Sequence, residues 1–349
     1  MAGTRKLIKR PVNSGEQIWI ESAFKEFIED KKSQGVVPET IKSYTTTFKK
    51  FYEFINREKE VELMGDIYPS MFIEWRSAMQ DGYTVEIVTK DSKGKKVKEQ
   101  KEYKPARTAT VNHNLGDIRA FMYWCMEPGR DYLTEHFNIR LMKVQEEKPK
   151  DYEPEEIEKL LKKPDRKAKF TEWRSWAICC FVIGTGARLG TLVEIQMKDI
   201  KLKEGTIFYQ HTKNKKLQNA NLSTQLVKCL REYINTWFED IEDDDYLFCK
   251  VDRTQLSKAA LTQSYAEYAK SRGVNKTNIH GLRHTFARMW YENGGDVVQL
   301  SKILGHSTLA MSEHYMNAYA NMARERFEQF NPLDNLARKG TKKTVRRRD

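Results

Sequence analysis

What the chain lacks bounds what it is. Among its 349 residues no apolar run approaches the roughly 20 residues that a membrane-spanning helix requires. The basic stretch Met1 to Arg10 has no apolar core behind it, so it does not read as a signal peptide. Cysteine is scarce: Cys125, Cys179, Cys180, Cys229 and Cys249 form no C-x-x-C pair, and Cys179 and Cys180 sit side by side in an apolar segment. That favours reduced core thiols in a reducing compartment over a disulfide frame or a zinc site. No internal repeat is visible, so a solenoid is not expected. Negative charge is outweighed, 49 Asp and Glu against 61 Lys and Arg, for a net charge of +12 and a pI near 9.2. A polyanionic partner is the natural reading of that balance. With 39% hydrophobic residues and a mean hydropathy of -0.73, the chain reads as soluble and polar, and it is long enough for two domains with cores of their own.

The periodicity is mainly helical, with small β elements. Residues 1–15 form a basic, flexible N-terminus. From residue 16 to 141 a helical domain is expected. Ile18, Ile20, Phe24, Phe27 and Ile28 recur at helical spacing, and Pro38-Glu39-Thr40 opens a second helix carrying Ile41, Tyr44, Phe48, Phe51 and Phe54. These aromatics read as core. Inside this domain, residues 83–105 read as a β-hairpin, with Val85, Ile87 and Val88 before the turn signal Ser92-Lys93-Gly94-Lys95. Its lysines Lys93, Lys95, Lys96 and Lys98 are candidates for backbone contact with a nucleic acid, or simply a solvated loop. The same two readings apply to Arg107, Thr108 and Arg119 on the helix that follows. Residues 142–151 are polar and broken by Pro149, a linker. The second domain, 152–331, opens at Pro154-Glu155-Glu156 and contains the apolar run Trp173 to Gly184, a buried helix. An alternating strand from Gly205 to Gln210, the basic turn Lys213-Asn214-Lys215-Lys216 and a return over Leu217 to Leu222 make a second hairpin, whose Lys215 and Lys216 are further candidates for phosphate contact. Residues 332–349 are a basic tail.

Two stretches carry chemistry. Gly184-Thr185-Gly186-Ala187-Arg188-Leu189 places an arginine at a glycine-flanked junction just after the buried helix. Downstream come His280-Gly281-Leu282-Arg283-His284, then Leu304-Gly305-His306, then Glu313-His314-Tyr315-Met316. Paired arginines suit a doubly liganded phosphate, because a guanidinium meets phosphate oxygens as a planar fork. A tyrosine beside such a clamp suits nucleophilic attack on phosphorus. His280 and Arg283, at i and i+3, share one helical face.

Together these motifs resemble the tyrosine recombinase (phage integrase) family, and the resemblance extends over most of the chain. It implies a two-domain α+β architecture, a helical core-binding domain followed by a mixed catalytic domain that close on a DNA duplex as a clamp. It implies the arginine pair Arg188 and Arg283, with Tyr315 as nucleophile in preference to Tyr319 or Tyr291. Lys213 is then the general acid for the leaving 5′-oxygen, with Lys215 and Lys216 as rivals. His280 would donate a hydrogen bond to a nonbridging oxygen or accept the tyrosine proton. His306 would be a second donor and His284 a support. The family usually carries Glu or Asp three residues after the first arginine; here that residue is Thr191, and Glu194, one turn on, is the candidate substitute. The expected partners are double-stranded DNA at specific sites and further copies of the chain, a homodimer on one site and a homotetramer in synapsis, with accessory proteins possible and no membrane. No cofactor, nucleotide or metal is expected, and the compartment would be the cytoplasm of a bacterial or archaeal cell. No separate arm-binding domain of useful size precedes residue 16, which favours the simpler two-domain type. Residues 318–330 read as an amphipathic helix, packed on its own domain or, as the resemblance implies, docked on a neighbouring protomer.

Three other readings compete. Zinc chemistry at His280, His284 and His306 is disfavoured, since the segment lacks the glutamate of H-E-x-x-H and Arg283 would repel a metal. A non-catalytic DNA-binding regulator would not require Tyr315 together with Lys213. A topoisomerase-like strand transferase would use the same residues.

Overall fold

The structure, a computed structural model, describes residues 18–57, 61–90, 96–130, 132–133, 136–144, 151–209 and 218–305, without the side chains of Thr89, Lys90, Lys96 and Gln218. The chain divides into two compact units between Glu146 and Glu147.

The first unit is built from α1 (Ile20–Ser33), α2 (Pro38–Ile55), α3 (Pro69–Asp81), β1 (Tyr83–Lys90), β2 (Lys96–Tyr103) and α4 (Thr108–Cys125). Pro38 and Pro69 start α2 and α3, where a missing N–H costs nothing and the fixed φ suits the first turn. The aromatic stripes of α1 and α2 meet: Phe24 stacks on Phe48 at 3.8 Å between ring centroids, and Phe121 of α4 presents its edge to Phe24 at 5.2 Å. Phe27, Phe51, Phe54 and Trp75 are buried with them. These rings are core, not a stacking platform for bases. A polar tie joins α2 to α4 as well, Ser43 and Thr47 both donating to the Asp117 carboxylate at 2.6 and 2.9 Å.

Gly82, with φ of 83°, turns α3 into β1; a Cβ there would lie 2.9 Å from Pro105 Cδ, so only glycine fits. The antiparallel β1–β2 pair runs from Tyr83↔Tyr103 to Lys90↔Lys96. Its base is fastened to α2 through Glu53, which accepts from Lys101 Nζ at 2.9 Å and from the Tyr103 hydroxyl at 2.5 Å.

The second unit contains α5 (Pro154–Leu161), α6 (Phe170–Thr185), α7 (Leu189–Leu192), the antiparallel sheet β3 (Ile200–Lys201), β4 (Thr206–Tyr209) and β5 (Gln218–Asn221), then α8 (Thr224–Trp237), α9 (Lys258–Ser271), α10 (Ile279–Glu292) and α11 (Val297–Leu304). α6 is apolar on nearly every side, so it is buried on nearly every side and packs against α5, α8, α9 and α10. Its central position delivers the residues that follow it to the interior face of α10. All five cysteines are free thiols, Cys125, Cys179 and Cys249 fully buried. Among the described residues no helix is long and apolar enough to cross a membrane.

Candidate active site

The site is assembled where the C-terminal ends of α6 and α11 meet the first turns of α10. Helix α6 ends at Gly186, which takes the left-handed conformation at φ 66° and donates its N–H to Val182 O at 2.8 Å. A Cβ on Gly186 would lie 2.6 Å from Phe286 Cδ1 on α10 and 2.7 Å from Leu304 Cδ2 on α11. Both helices therefore close directly onto the turn that presents Arg188. Gly186→Ala combines a left-handed alanine with overpacking, and we expect it to cost about 3 kcal/mol of unfolding free energy, read by denaturant titration.

Arg283, 8% exposed, donates from Nη1 to Gly186 O at 2.7 Å and from Nη2 to Leu304 O at 2.8 Å. Arg188, half-buried, donates from Nη2 to Gly305 O at 2.8 Å. The two guanidinium groups thus sit on carbonyls at the negative ends of two helices, an arrangement that fixes their direction and offsets part of their desolvation. Burial holds the Arg188 pKa below its ordinary value, yet arginine starts so high that it stays cationic. Nε and Nη1 of Arg188 make no hydrogen bond among the described residues.

His280 stands at the start of α10, its amide capped by Asn278 Oδ1 at 3.0 Å. The residue remains exposed. Partial desolvation of the ring, then the charges of Arg283 and Arg188, lower its pKa below the ordinary 6.5. Arg188 and Arg283 both bond the C-terminal end of α11, and His280 lies one helical turn before Arg283 on α10. His284, half-buried, follows on the same helix, and Tyr291 lies half-buried in its last turn.

Other candidates are placed differently. Glu194 is half-exposed, and its carboxylate makes no hydrogen bond or ion pair among the described residues. Arg107 is exposed just before α4, and Arg119 is half-exposed beside the Tyr123 ring, 5.9 Å from its centroid. Lys98 is paired with Glu86 at 2.6 Å across the first hairpin. Lys93, Lys95, Lys213, Lys215, Lys216, His306, Tyr315 and Tyr319 lie outside the described residues, as does the side chain of Lys96.

Sequence reasoning did not single out Tyr209. Its ring is buried at the end of β4, and among the described residues its hydroxyl makes no well-formed hydrogen bond. Burial raises its pKa to about 12, partly offset by the nearby Thr185 hydroxyl and the charge of Arg283. The inward alternation of Ile207 and Tyr209 was the available signal.

Residues 150–322 match the phage integrase family. Over 317 residues the chain is 22% identical to tyrosine recombinase XerC of Chlamydia caviae, covering 89% of this chain and 99% of that protein. It is 24% identical over 276 residues to tyrosine recombinase XerA of Saccharolobus solfataricus, covering 79% and 81%. Among solved structures, the Tn1549 transposon integrase superposes with a TM-score of 0.64 at 16% identity, covering 88% of this chain and 99% of that one. The XerH site-specific recombinase superposes with a TM-score of 0.62 at 19% identity, covering 88% and 84%. The family match and the similar recombinases support a DNA strand-transferring enzyme. Residues 150–322 of the chain belong to the phage integrase family, and the chain is similar to tyrosine recombinases over most of its length.

Proposed function

We propose that the chain is a site-specific recombinase that cuts and rejoins DNA one strand at a time through a 3′-phosphotyrosine at Tyr315. The observation that carries this reading is the convergence of Arg188, Arg283 and His280, the two guanidinium groups held on the backbone carbonyls of Gly186, Leu304 and Gly305. In the proposed step the Tyr315 phenolic oxygen attacks the scissile phosphorus in line, and the 5′-oxygen of the next nucleotide leaves. The phenolic proton passes to His280 or to solvent, and Lys213 supplies a proton to the departing oxygen. Arg188 and Arg283 hold the nonbridging oxygens while the extra negative charge develops, and His306 adds a hydrogen bond to them. The new ester conserves the energy of the old one. A 5′-hydroxyl from a partner duplex reverses the step, and two rounds of exchange pass through a Holliday junction. The reaction therefore consumes no nucleotide and calls for no metal, and activity is expected to be unchanged in EDTA.

The working assembly is a dimer on each site and a tetramer in synapsis. The DNA complexes named for the structural neighbours support this, among them the Tn1549 integrase with transposon right end DNA and a lambda integrase tetramer on a Holliday junction. By the same likeness the biological role is movement of a mobile element or phage genome. Covalent capture tests the reading on DNA of any sequence. The chain is mixed with a library of nicked duplexes carrying randomised inserts, and DNA attached after denaturation is sequenced. A single recovered motif is expected; no attached DNA would sink the proposal.

The lowered pKa of His280 carries a second expectation. If its neutral form takes the phenolic proton, cleavage persists as pH falls through 6.5 and declines only below the depressed value. The acid limb of kcat/KM, which reports the free enzyme, should have its midpoint below 6.5 and vanish in His280→Gln. A midpoint at or above that value would remove His280 as the acceptor.

A further inference from the structure

The chain enters its second unit across the helix that carries His280 and Arg283, and one residue grips that helix repeatedly. Tyr152 is wholly buried, with 0% of its surface exposed. Its backbone N–H donates to Thr285 Oγ1 on α10 at 2.8 Å, and its carbonyl accepts from Arg288 Nη2, also on α10. Its hydroxyl shares its single proton between two carbonyls at the entrance of α10, Lys276 O and Asn278 O, at 3.0 Å each. Behind it the Tyr265 hydroxyl, on α9, donates to the Tyr152 oxygen at 2.8 Å. Neighbouring residues repeat the pattern: Asp151 pairs with Arg288 Nε at 2.8 Å, and its carbonyl accepts from Lys276 Nζ at 3.0 Å.

Asn278 is the hinge of this arrangement. Its side-chain oxygen accepts the His280 amide at 3.0 Å, and its carbonyl accepts the Gly281 amide at 2.9 Å. The same carbonyl takes the Tyr152 proton from the other side. A buried phenol is thus two hydrogen bonds from the backbone of His280. Burial raises the Tyr152 pKa to about 12, so the hydroxyl remains a donor at any working pH.

We propose that Tyr152 is a positioning residue for the strand-transfer reaction, fixing through Asn278 the first turn of α10 and with it the placement of His280 and Arg283. The inference rests on the recombinase reading for its chemistry. It does not need that reading for its structural part. A catalytic group displaced by about 1 Å loses on the order of a hundredfold in rate, so loosening one cap is expected to fall short of that.

A single Tyr152→Phe change keeps the ring but also strands the Tyr265 hydroxyl in the core, which confuses position with stability. The decisive comparison is therefore between Tyr265→Phe and the double variant Tyr152→Phe/Tyr265→Phe. The first keeps the donor to Asn278; the second removes that donor and leaves no stranded hydroxyl. On the duplex recovered by covalent capture, Tyr265→Phe should cleave within about twofold of the unaltered chain, and the double variant about tenfold more slowly with DNA affinity unchanged. Without DNA, amide hydrogen exchange at His280 and Gly281 should be about tenfold faster in the double variant than in Tyr265→Phe, with the interior of α6 unaffected. Equal cleavage and equal exchange in the two variants would overturn the proposal, as would a uniform rise in exchange across the whole second unit. If the unaltered chain captures no DNA, the recombinase reading falls. The exchange comparison then still decides whether Tyr152 fixes the start of α10.

Discussion

Arg283→Ala is expected to slow formation of the covalent protein–DNA adduct by about 10²–10³, the usual cost of removing one preorganised donor from developing negative charge. It should also destabilise the fold. The Arg283 side chain is buried and supplies the hydrogen bonds to Gly186 O and Leu304 O. Removing it strands two carbonyls, for about 2–4 kcal/mol. Arg283→Lys separates the two effects, because it keeps the charge and loses the planar fork. Lysine should recover part of the stability and little of the rate. Single-turnover adduct formation, followed beside thermal unfolding, reads both. The contrast with Arg188 is informative, since that side chain gives only one hydrogen bond to the described backbone. Arg188→Ala should lose a comparable amount of rate and much less stability.

Tyr315→Phe should have the largest effect of all on chemistry and the smallest on binding. Phenylalanine offers no oxygen to attack phosphorus, so adduct formation should fall by at least about 10⁴, to the background of the assay. Affinity for the captured duplex should be unchanged within about twofold, because most of that affinity comes from cationic side chains on the phosphate backbone. Both are measurable on the same labelled DNA, by denaturing and by native electrophoresis. A variant that still forms adduct would transfer the nucleophile to another tyrosine.

How far the sequence could be read depended on whether a feature repeats along the chain. The stripe Phe24, Phe27 and the stripe Phe48, Phe51, Phe54 follow the helical period, and they are the core of the first unit. The run from Trp173 has no polar face, and α6 is correspondingly the buried centre of the second. Turn residues announced the first hairpin. By contrast, β3 has two residues, Ile200 and Lys201, too few to leave any alternation. In the site, the residue types Arg188, His280 and Arg283 were legible, but the partners that orient them were not. Gly186 O, Leu304 O and Gly305 O are backbone atoms, and any residue has a carbonyl. The Tyr152–Asn278 link joins residues distant in sequence and follows no period. Glu194 lies just beyond α7, which ends at Leu192, and its carboxylate has no partner among the described residues.

The most direct test of the account is the identity of the amino acid joined to DNA after covalent capture. Protease digestion of the trapped complex, followed by mass spectrometry of the nucleotide-bearing peptide, should find a single modified residue, Tyr315, linked to a 3′-phosphate with a free 5′-hydroxyl on the released strand. Attachment at Tyr319, Tyr291 or any other residue, or linkage to a 5′-phosphate, would contradict it.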